Sequence, residues 1–290
     1  NFSEGRRRDV IDAIATAIRD AGARIIDVQA DAAHNRMVVT FVSEPDRAVD
    51  AALAGARVAT DRIDLRQHQG EHPRMGATDV VPFVPFADLP MATCVQLARI
   101  FGARLWSELR IPVYYYGEAA SQPERRELEK VRRGGFEELA AHIQDPDRVP
   151  DEGTPAVHPT AGATAVGARI PLIAYNVNLK TTDLTVAKEI ARQIRASSGG
   201  LANVKALGFN LAERGLVQVS MNLTDYRVTN MWKVFTVIRE EAGRRGVAVE
   251  ESEIVGTIPL DAATRTIKDA LLEPAFKMEQ ILEKRAWAAE

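Results

Sequence analysis

The 290-residue sequence predicts an α+β protein made of two tandem α/β sandwich subdomains. In the second half, apolar and polar residues alternate along the expected strands, and apolar residues recur every three or four positions along the expected helices. The elements there follow the order βαββαβ, which is the ferredoxin-like pattern. The first half reads αββαβαβ, and this similar order predicts a second sandwich of the same kind.

The strands of the second half are predicted from strict alternation, as in "IAYNVNL", where two asparagines separate apolar residues. The helices are predicted from apolar stripes. The expected strands are 173–179, 204–211, 217–223 and 247–255, and the expected helices are 186–194 and 231–238.

The first half is interpreted in the same way. Ser43 followed by Asp46 predicts the start of its second helix. The expected helices are 10–21, 43–63 and 90–109, and the expected strands are 24–28, 37–42, 79–86 and 112–116. The predicted subdomains span residues 1–168 and 169–290.

A segment of different composition, residues 118–160, separates the two patterns. It is dense in charged residues, proline and glycine, so we interpret it as a connector with short helices at 124–132 and 136–143. It leads into "GATAVGAR", residues 162–169. We interpret this stretch as a small-residue loop that lets a backbone or a flat ligand approach closely.

Composition excludes several classes of protein. The net charge is −3 and the basic residues are scattered, so we expect no nucleic-acid partner. The longest apolar stretches, such as 170–175, are far shorter than the roughly 20 residues of a membrane span, so we expect no membrane association. Cys94, the single cysteine, suits a reducing compartment and predicts a cytoplasmic protein.

The stretch "GEHPRMGATDVVPFVP", residues 70–85, holds the main candidate for catalysis. His68 to His72 match H-x-x-E-H, a metalloprotease pattern that needs both histidines on one helix. Gly70 weakens a helix at its centre, and Pro73 favours an extended conformation at His72. We therefore predict no metal site.

Two interpretations of His72 remain. It is either a general acid and base near neutral pH or a residue that caps a turn before a strand. The catalytic interpretation gains from its neighbours. Glu71 and Asp79 are candidates to orient an imidazole, and Arg74 offers a two-pronged donor for a carboxylate.

Several long motifs together resemble the formiminotransferase family. They are "NFSEG" at 1–5, "HNR" at 34–36, the 70–85 stretch, "YYYGEAA" at 114–120, "GATAVGAR" at 162–169 and "IAYNVNL" at 173–179. The resemblance implies two ferredoxin-like subdomains with a folate cleft between them. It also implies transfer of the formimino group from N-formimino-L-glutamate to N5 of tetrahydrofolate, a step of histidine degradation. Tetrahydrofolate is then a co-substrate, and a homodimer is expected.

The resemblance places the catalytic histidine of the family on His72 and folate binding on two segments. The first comprises Gly153, Thr154, Pro155, Ala156, Val157, His158, Pro159, Thr160, Ala161 and Gly162. The second comprises Gly199, Gly200, Leu201, Ala202, Asn203, Val204, Lys205, Ala206 and Leu207.

Both substrates carry carboxylates, which predicts cationic and polar binding residues. The candidates are Asn35, Arg36, Arg74, Asn176 and Asn178, with Arg169 as a further cation. The alternative for each arginine is a solvated surface charge. For the strand asparagines it is the wet outer face of a sheet.

Other functions stay open at this stage. The same fold and base would serve formiminoglycine as donor, or formyl exchange between 5-formyltetrahydrofolate and glutamate, and a folate-binding module without turnover is a third hypothesis. The chain also departs from the family at Gln29, where an acid is expected, and Asp31 and Glu71 are candidates to replace that acid. The sequence ends at Glu290, so we expect a separate cyclodeaminase to act downstream.

Overall fold

A computed structural model describes residues 1–70 and 73–287, with side chains to residue 285. The chain is a mixed α/β protein that divides into two compact units. Unit 1 spans Asn1–Arg169 and unit 2 spans Ile170–Glu290.

Unit 1 contains most of the predicted elements of the first half. Its helices are α1 (Arg8–Asp20), α2 (Pro45–Arg62), α3 (Met91–Leu109), α4 (Leu128–Val131) and α5 (Gly135–His142). Its strands are β1 (Arg24–Asp31), β2 (Arg36–Val42), β3 (Val80–Phe83), β4 (Val113–Gly117) and β5 (Thr164–Ala168).

The predicted start of α2 at Ser43 is wrong. The helix begins at Pro45, and Glu44 occupies the N-cap position without a side-chain hydrogen bond to the helix. Proline suits the first helical position, because its missing N–H would have no partner there and its φ already fits a helix. The Ser43 hydroxyl instead donates to the carbonyl of Glu44.

The strands of unit 1 form two sheets. The strands β1 and β2 pair antiparallel, whereas β3, β5 and β4 lie side by side and parallel. Phe2 forms isolated bridges with Met37 of β2 and with Thr78 before β3, so it links the two sheets. The parallel trio differs from the antiparallel sheet that a ferredoxin-like pattern predicts for this half.

The interpretation of residues 162–169 as a loop is wrong. Thr164–Ala168 is β5, the central strand of the parallel sheet, and every residue of it is buried. A Cβ atom at Gly167 would lie 2.5 Å from the Tyr116 ring. The small residues therefore make room for a side chain of β4, as expected in a strand buried on both faces.

The predicted connector packs into unit 1, and its short helices are observed as a 3₁₀ turn (Pro123–Arg126), α4 and α5. Val131, Leu139 and Ile143 are buried in a cluster with Tyr114 and Tyr116 of β4. A buried ion pair of 2.8 Å joins the Arg125 guanidinium to the Asp151 carboxylate. The same carboxylate accepts the backbone N–H of Tyr115 at 2.7 Å. The segment is thus part of the folded unit.

Unit 2 follows the order predicted for it. Its strands are β6 (Ile173–Leu179), β7 (Val204–Leu211), β8 (Leu216–Leu223) and β9 (Val249–Val255). Its helices are α6 (Leu184–Ile194), α7 (Met231–Arg244), α8 (Leu260–Leu271) and α9 (Leu282–Trp287). The antiparallel sheet has the order β7-β8-β6-β9. Its core includes Val177 and Val219 on the strands and Ile190 and Val234 on the helices.

No helix in the described part of either unit is long and apolar enough to cross a membrane.

Candidate active site

The predicted catalytic histidine belongs to a loop between α2 and β3. We call residues 65–77 the histidine loop. His72 and Glu71 lie outside the described residues, and the structure describes the loop on both sides of them. The described parts of the loop are residues 65–70 and 73–77.

Asn35 fixes the loop before His72. Its backbone is left-handed, with φ of 47°, in the turn between β1 and β2. Its side-chain oxygen accepts the N–H of Gly5 at 2.9 Å, and its amide nitrogen donates to the carbonyl of Gln69 at 3.0 Å. A Cβ atom at Gly70 would lie 2.3 Å from the carbonyl oxygen of His34, so only glycine fits this approach.

His68 is a neutral histidine within the loop. Its Nε2–H donates to the carbonyl of Asn35 at 2.9 Å, and its Nδ1 accepts the Nε–H of Arg74 at 3.0 Å. Burial lowers the pKa of His68, since water no longer solvates the charged ring. Both ring nitrogens are engaged, which leaves neither for the metal of a metalloprotease.

Arg74 fixes the loop after His72. Its Nη1 and Nη2 donate to the two carboxylate oxygens of Glu137 at 2.8 and 2.7 Å. Its Nη2 also donates to the carbonyl of His68 at 3.2 Å. The guanidinium that the sequence assigned to a substrate carboxylate thus holds a carboxylate of its own chain.

Asp79 fixes the end of the loop. The carboxylate is buried, accepts the N–H of Met75 at 2.8 Å through Oδ1, and pairs with Arg132 at 3.1 Å through Oδ2. Sequence reasoning placed Asp79 beside an imidazole and missed Arg132. No sequence pattern separates Arg132 from the other charges of the connector.

A narrow cleft with about 150 Å³ of empty space lies among these residues, and it has no room for a water molecule. Its lining residues are Ser3, His34, Asn35, Arg36, His68, Arg74 and Asp79. Burial lowers the pKa of Arg36. The Arg132 cation lowers this pKa further, whereas the Asp79 carboxylate raises it. The nearby Asp31 carboxylate accepts the N–H of His34 at 2.9 Å and lies 2.7 Å from its Nδ1.

The first predicted folate segment lies against the histidine loop. Leu65 donates its N–H to the carbonyl of Thr160 at 2.8 Å, and Ala77 donates to Ala161 at 2.9 Å. Within the segment, Nδ1 of His158 accepts the N–H of Ala161 at 3.0 Å. Two stretches that are distant in sequence are therefore joined by the backbone.

The second predicted segment lies in unit 2. It begins at Gly199, whose φ is 83°, and runs into the first half of β7. The face of β7 that carries Leu207 is open, with that side chain 58% exposed.

The predicted strand asparagines are hydrogen-bonded to acids on β9. Asn176 donates to Glu253 at 3.2 Å, and Asn178 donates to Glu251 at 3.0 Å. Gln218 of β8 donates to the side-chain oxygen of Asn178 at 3.0 Å. The polar residues thus form a band across three strands of the sheet.

Two family models match most of the chain. The model described as "Formiminotransferase domain, N-terminal subdomain" matches residues 1–169, and the one described as "Formiminotransferase domain" matches residues 174–271. The chain belongs to the formiminotransferase family.

Relatives in this family cover nearly the whole chain. A glutamate formimidoyltransferase of Thermoplasma acidophilum is 48% identical over 288 residues, which are 98% of this chain and 95% of that protein. One of Streptococcus pyogenes is 44% identical over 90% of this chain and 88% of its own length. A formimidoyltransferase-cyclodeaminase of Gallus gallus is 43% identical over 98% of this chain and 55% of its own length.

Among the residues expected to function in a formiminotransferase, the structure brings together the histidine loop, Asn35, Arg36, Arg74 and the segment 153–162. The segment 199–207, Asn176 and Asn178 lie in unit 2. Within residues 1–70 and 73–287, no three His, Cys, Asp or Glu side chains converge as a metal site would require.

Proposed function

We propose that the chain is a glutamate formimidoyltransferase. It transfers the formimino group of N-formimino-L-glutamate to N5 of tetrahydrofolate and releases L-glutamate and 5-formiminotetrahydrofolate. The observation that carries this proposal is 48% identity to a protein of that name over 98% of the chain. The reaction belongs to histidine degradation, and we place it in the cytoplasm.

We assign His72 as the base and acid of the reaction. N5 attacks the amidine carbon and loses its proton, and the glutamate nitrogen takes up a proton as its bond to that carbon breaks. One imidazole that accepts the first proton and returns it to the leaving nitrogen balances both steps. Such catalysis contributes about 10²- to 10⁴-fold to a rate.

The binding of substrates is assigned to both units. Tetrahydrofolate binds the segments 153–162 and 199–207, and the backbone bonds between the first segment and the histidine loop support this assignment. Arg36 lines the cleft beside the loop and is assigned to a carboxylate of N-formimino-L-glutamate. The side chain of Asn35 is bonded to Gly5 and Gln69, so its role is assigned to holding the loop. In the polar band, Asn176 is assigned a further substrate contact, and the buried Asn178 is assigned to supporting that band.

The remaining parts of the proposal concern architecture and partners. Unit 2 is assigned a ferredoxin-like fold, and its element order and the strand order β7-β8-β6-β9 support this assignment. The subdomains are assigned to 1–168 and 169–290, the active protein is a homodimer, and no metal takes part. A separate cyclodeaminase consumes the product.

A turnover assay tests this function. Purified chain is mixed with tetrahydrofolate and, in separate reactions, with N-formimino-L-glutamate or formiminoglycine, and release of the amino acid is measured. A third reaction offers 5-formyltetrahydrofolate and glutamate. Preference for N-formimino-L-glutamate supports the proposal, whereas preference for another donor would replace it.

His72→Ala tests the assigned base. The variant is expected to bind tetrahydrofolate as the wild type does and to lose about 10²- to 10⁴-fold in turnover. Unchanged turnover would remove His72 from the chemistry. Tetrahydrofolate binding without any turnover in the wild type would identify a binding module.

A further inference from the structure

We propose that residues 132–137 of the connector position the histidine loop for catalysis, with Glu137 acting through Arg74. We call Arg132, Phe136 and Glu137 the loop brace. The inference rests on the proposed function, because the loop carries the assigned base. It gives the connector a catalytic purpose that its composition does not suggest.

The backbone makes the first contact. Phe136 donates its N–H to the carbonyl of Arg74 at 2.8 Å. Gly135, with φ of 65°, comes so close that a Cβ atom there would lie 3.1 Å from the same carbonyl oxygen. The start of α5 therefore contacts the backbone of Arg74, which is two residues after His72 in the sequence.

The Glu137 carboxylate makes the second contact. Its two hydrogen bonds from Arg74 are charge-assisted and parallel, which fixes the guanidinium in its plane. These bonds lower the pKa of Glu137, so the carboxylate is ionised at neutral pH. The Glu137 side chain is 65% exposed, so the ion pair contributes little to the free energy of unfolding. Its main effect is to fix the orientation of the Arg74 side chain.

Arg74 passes this orientation along the loop. Only 15% of its side chain is exposed, and its Nε–H donates a hydrogen bond to Nδ1 of His68. The Nε2–H of His68 donates to the carbonyl of Asn35, and the side-chain amide of Asn35 donates to the carbonyl of Gln69. A continuous chain of hydrogen bonds thus connects Glu137 to the residue three positions before His72.

Arg132 makes the third contact from the other side. It pairs with Asp79, and Asp79 in turn accepts the N–H of Met75. The ion pair is nearly dry, since 14% of Arg132 and 2% of Asp79 are exposed. The brace thus holds two consecutive residues, Arg74 and Met75.

Two fixed ends limit where a loop can place its centre, because each residue spans at most about 3.3–3.6 Å. Misplacing a catalytic group by about 1 Å can cost about 10²-fold in rate. The brace therefore affects the rate of the chemical step more than the binding of substrates. Loss of the Glu137 carboxylate also removes the two charge-assisted bonds that orient the Arg74 guanidinium.

Glu137→Gln is the test variant and Glu138→Gln is its matched control. Glu138 is the next residue of α5 and also binds an arginine, Arg148, at 2.7 Å. That arginine donates to the carbonyl of Arg133, and no contact joins it to residues 65–70 or 73–77 of the loop. The two variants remove the same charge from the same helix.

We expect E137Q to lower kcat at least about tenfold with KM changed less than about twofold. E138Q should keep the wild-type kcat and KM. Equal kcat values for E137Q and E138Q would overturn the inference, even if His72→Ala confirms the base.

Hydrogen exchange gives a readout that does not depend on turnover. Amides of residues 65–77 should exchange at least about tenfold faster in E137Q than in E138Q, because the charge-assisted contact of the brace with Arg74 is weakened. Equal exchange in the two variants would overturn the inference. An inactive wild type would instead contradict the proposed function, so the two failures are distinct.

Discussion

Ala77 donates its backbone N–H to the carbonyl of Ala161 at 2.9 Å, beside a matching bond from Ala163 to Met75 at 2.9 Å. These bonds run between the end of the histidine loop and the end of the first segment assigned to folate. Glycines permit this close approach, because a Cβ atom would lie 2.0 Å from the Ala163 oxygen at Gly76 and 2.3 Å from the Met75 oxygen at Gly162. The described end of the histidine loop and the end of the first predicted folate segment are therefore joined by backbone hydrogen bonds.

Gly70→Ala is predicted to displace the histidine loop. The added Cβ atom would lie 2.3 Å from the His34 oxygen and 2.9 Å from the Asn35 Cβ atom, both below ordinary contact distances. We expect kcat to fall about 10²-fold and the free energy of unfolding to fall by about 1–3 kcal/mol. Steady-state kinetics and urea denaturation measure the two effects. A wild-type kcat would show that the loop adapts to the added atom.

Gly243→Ala is predicted to stabilise the protein. Gly243 lies near the end of α7 and is exposed, and a Cβ atom added there would meet no neighbouring atom of the described residues within 4 Å. Alanine restricts the unfolded chain without a clash, so the free energy of unfolding should rise by about 0.4–1 kcal/mol. Urea denaturation checks the change, and kcat should not move. A destabilised variant would contradict the open surroundings of this residue.

Arg125→Met is predicted to be one of the most destabilising single changes in unit 1. Only 7% of Arg125 and 8% of Asp151 are exposed, so the change leaves a buried carboxylate without its partner. The expected loss in the free energy of unfolding is about 3–5 kcal/mol. Arg8→Met removes an exposed pair with Asp12 and should cost no more than about 0.5 kcal/mol. Similar losses in the two variants would rule out the buried pair as the cause.

His68 is predicted to be less protonated than a free histidine at the same pH, and its neutral form carries the proton on Nε2. Its pKa in the folded protein lies below the ordinary value of 6.5, so the unfolded chain binds the proton first. Stability from this group is therefore complete above pH 6.5 and falls as the pH drops below that value. Nitrogen chemical shifts of the ring report the tautomer. A pKa of the folded ring at or above 6.5 would contradict the prediction.

Alternation made unit 2 predictable. In β6 and β8, buried residues alternate with more exposed ones, so residues such as Val177 and Asn176 alternate in the sequence. By contrast, β5 is buried on both faces and made of Thr, Ala, Val and Gly, so it has neither alternation nor bulk. Its residues are small because the Tyr116 ring of the neighbouring strand occupies the adjacent space. A contact with a residue distant in sequence cannot be predicted from a local sequence pattern.

The candidate site divides in the same way. The sequence indicated the loop, because glycine, proline and histidine together restrict the backbone around a titratable group. It also indicated Asn35 and Arg36, which line the cleft. It did not indicate the partners of Arg74 and Asp79, since Glu137 and Arg132 belong to a charged stretch whose packing depends on the tertiary fold.

The position of β5 between β3 and β4 has a consequence for synthesis on the ribosome. Both earlier strands are complete by Gly117, but the strand that joins them ends only at Ala168. While residues 118–163 are being translated, β3 and β4 each expose a strand edge that lacks its hydrogen-bonding partner β5. Such edges recruit chaperones or pair with a neighbouring chain. A gene fragment that stops short of that last strand should therefore yield insoluble product.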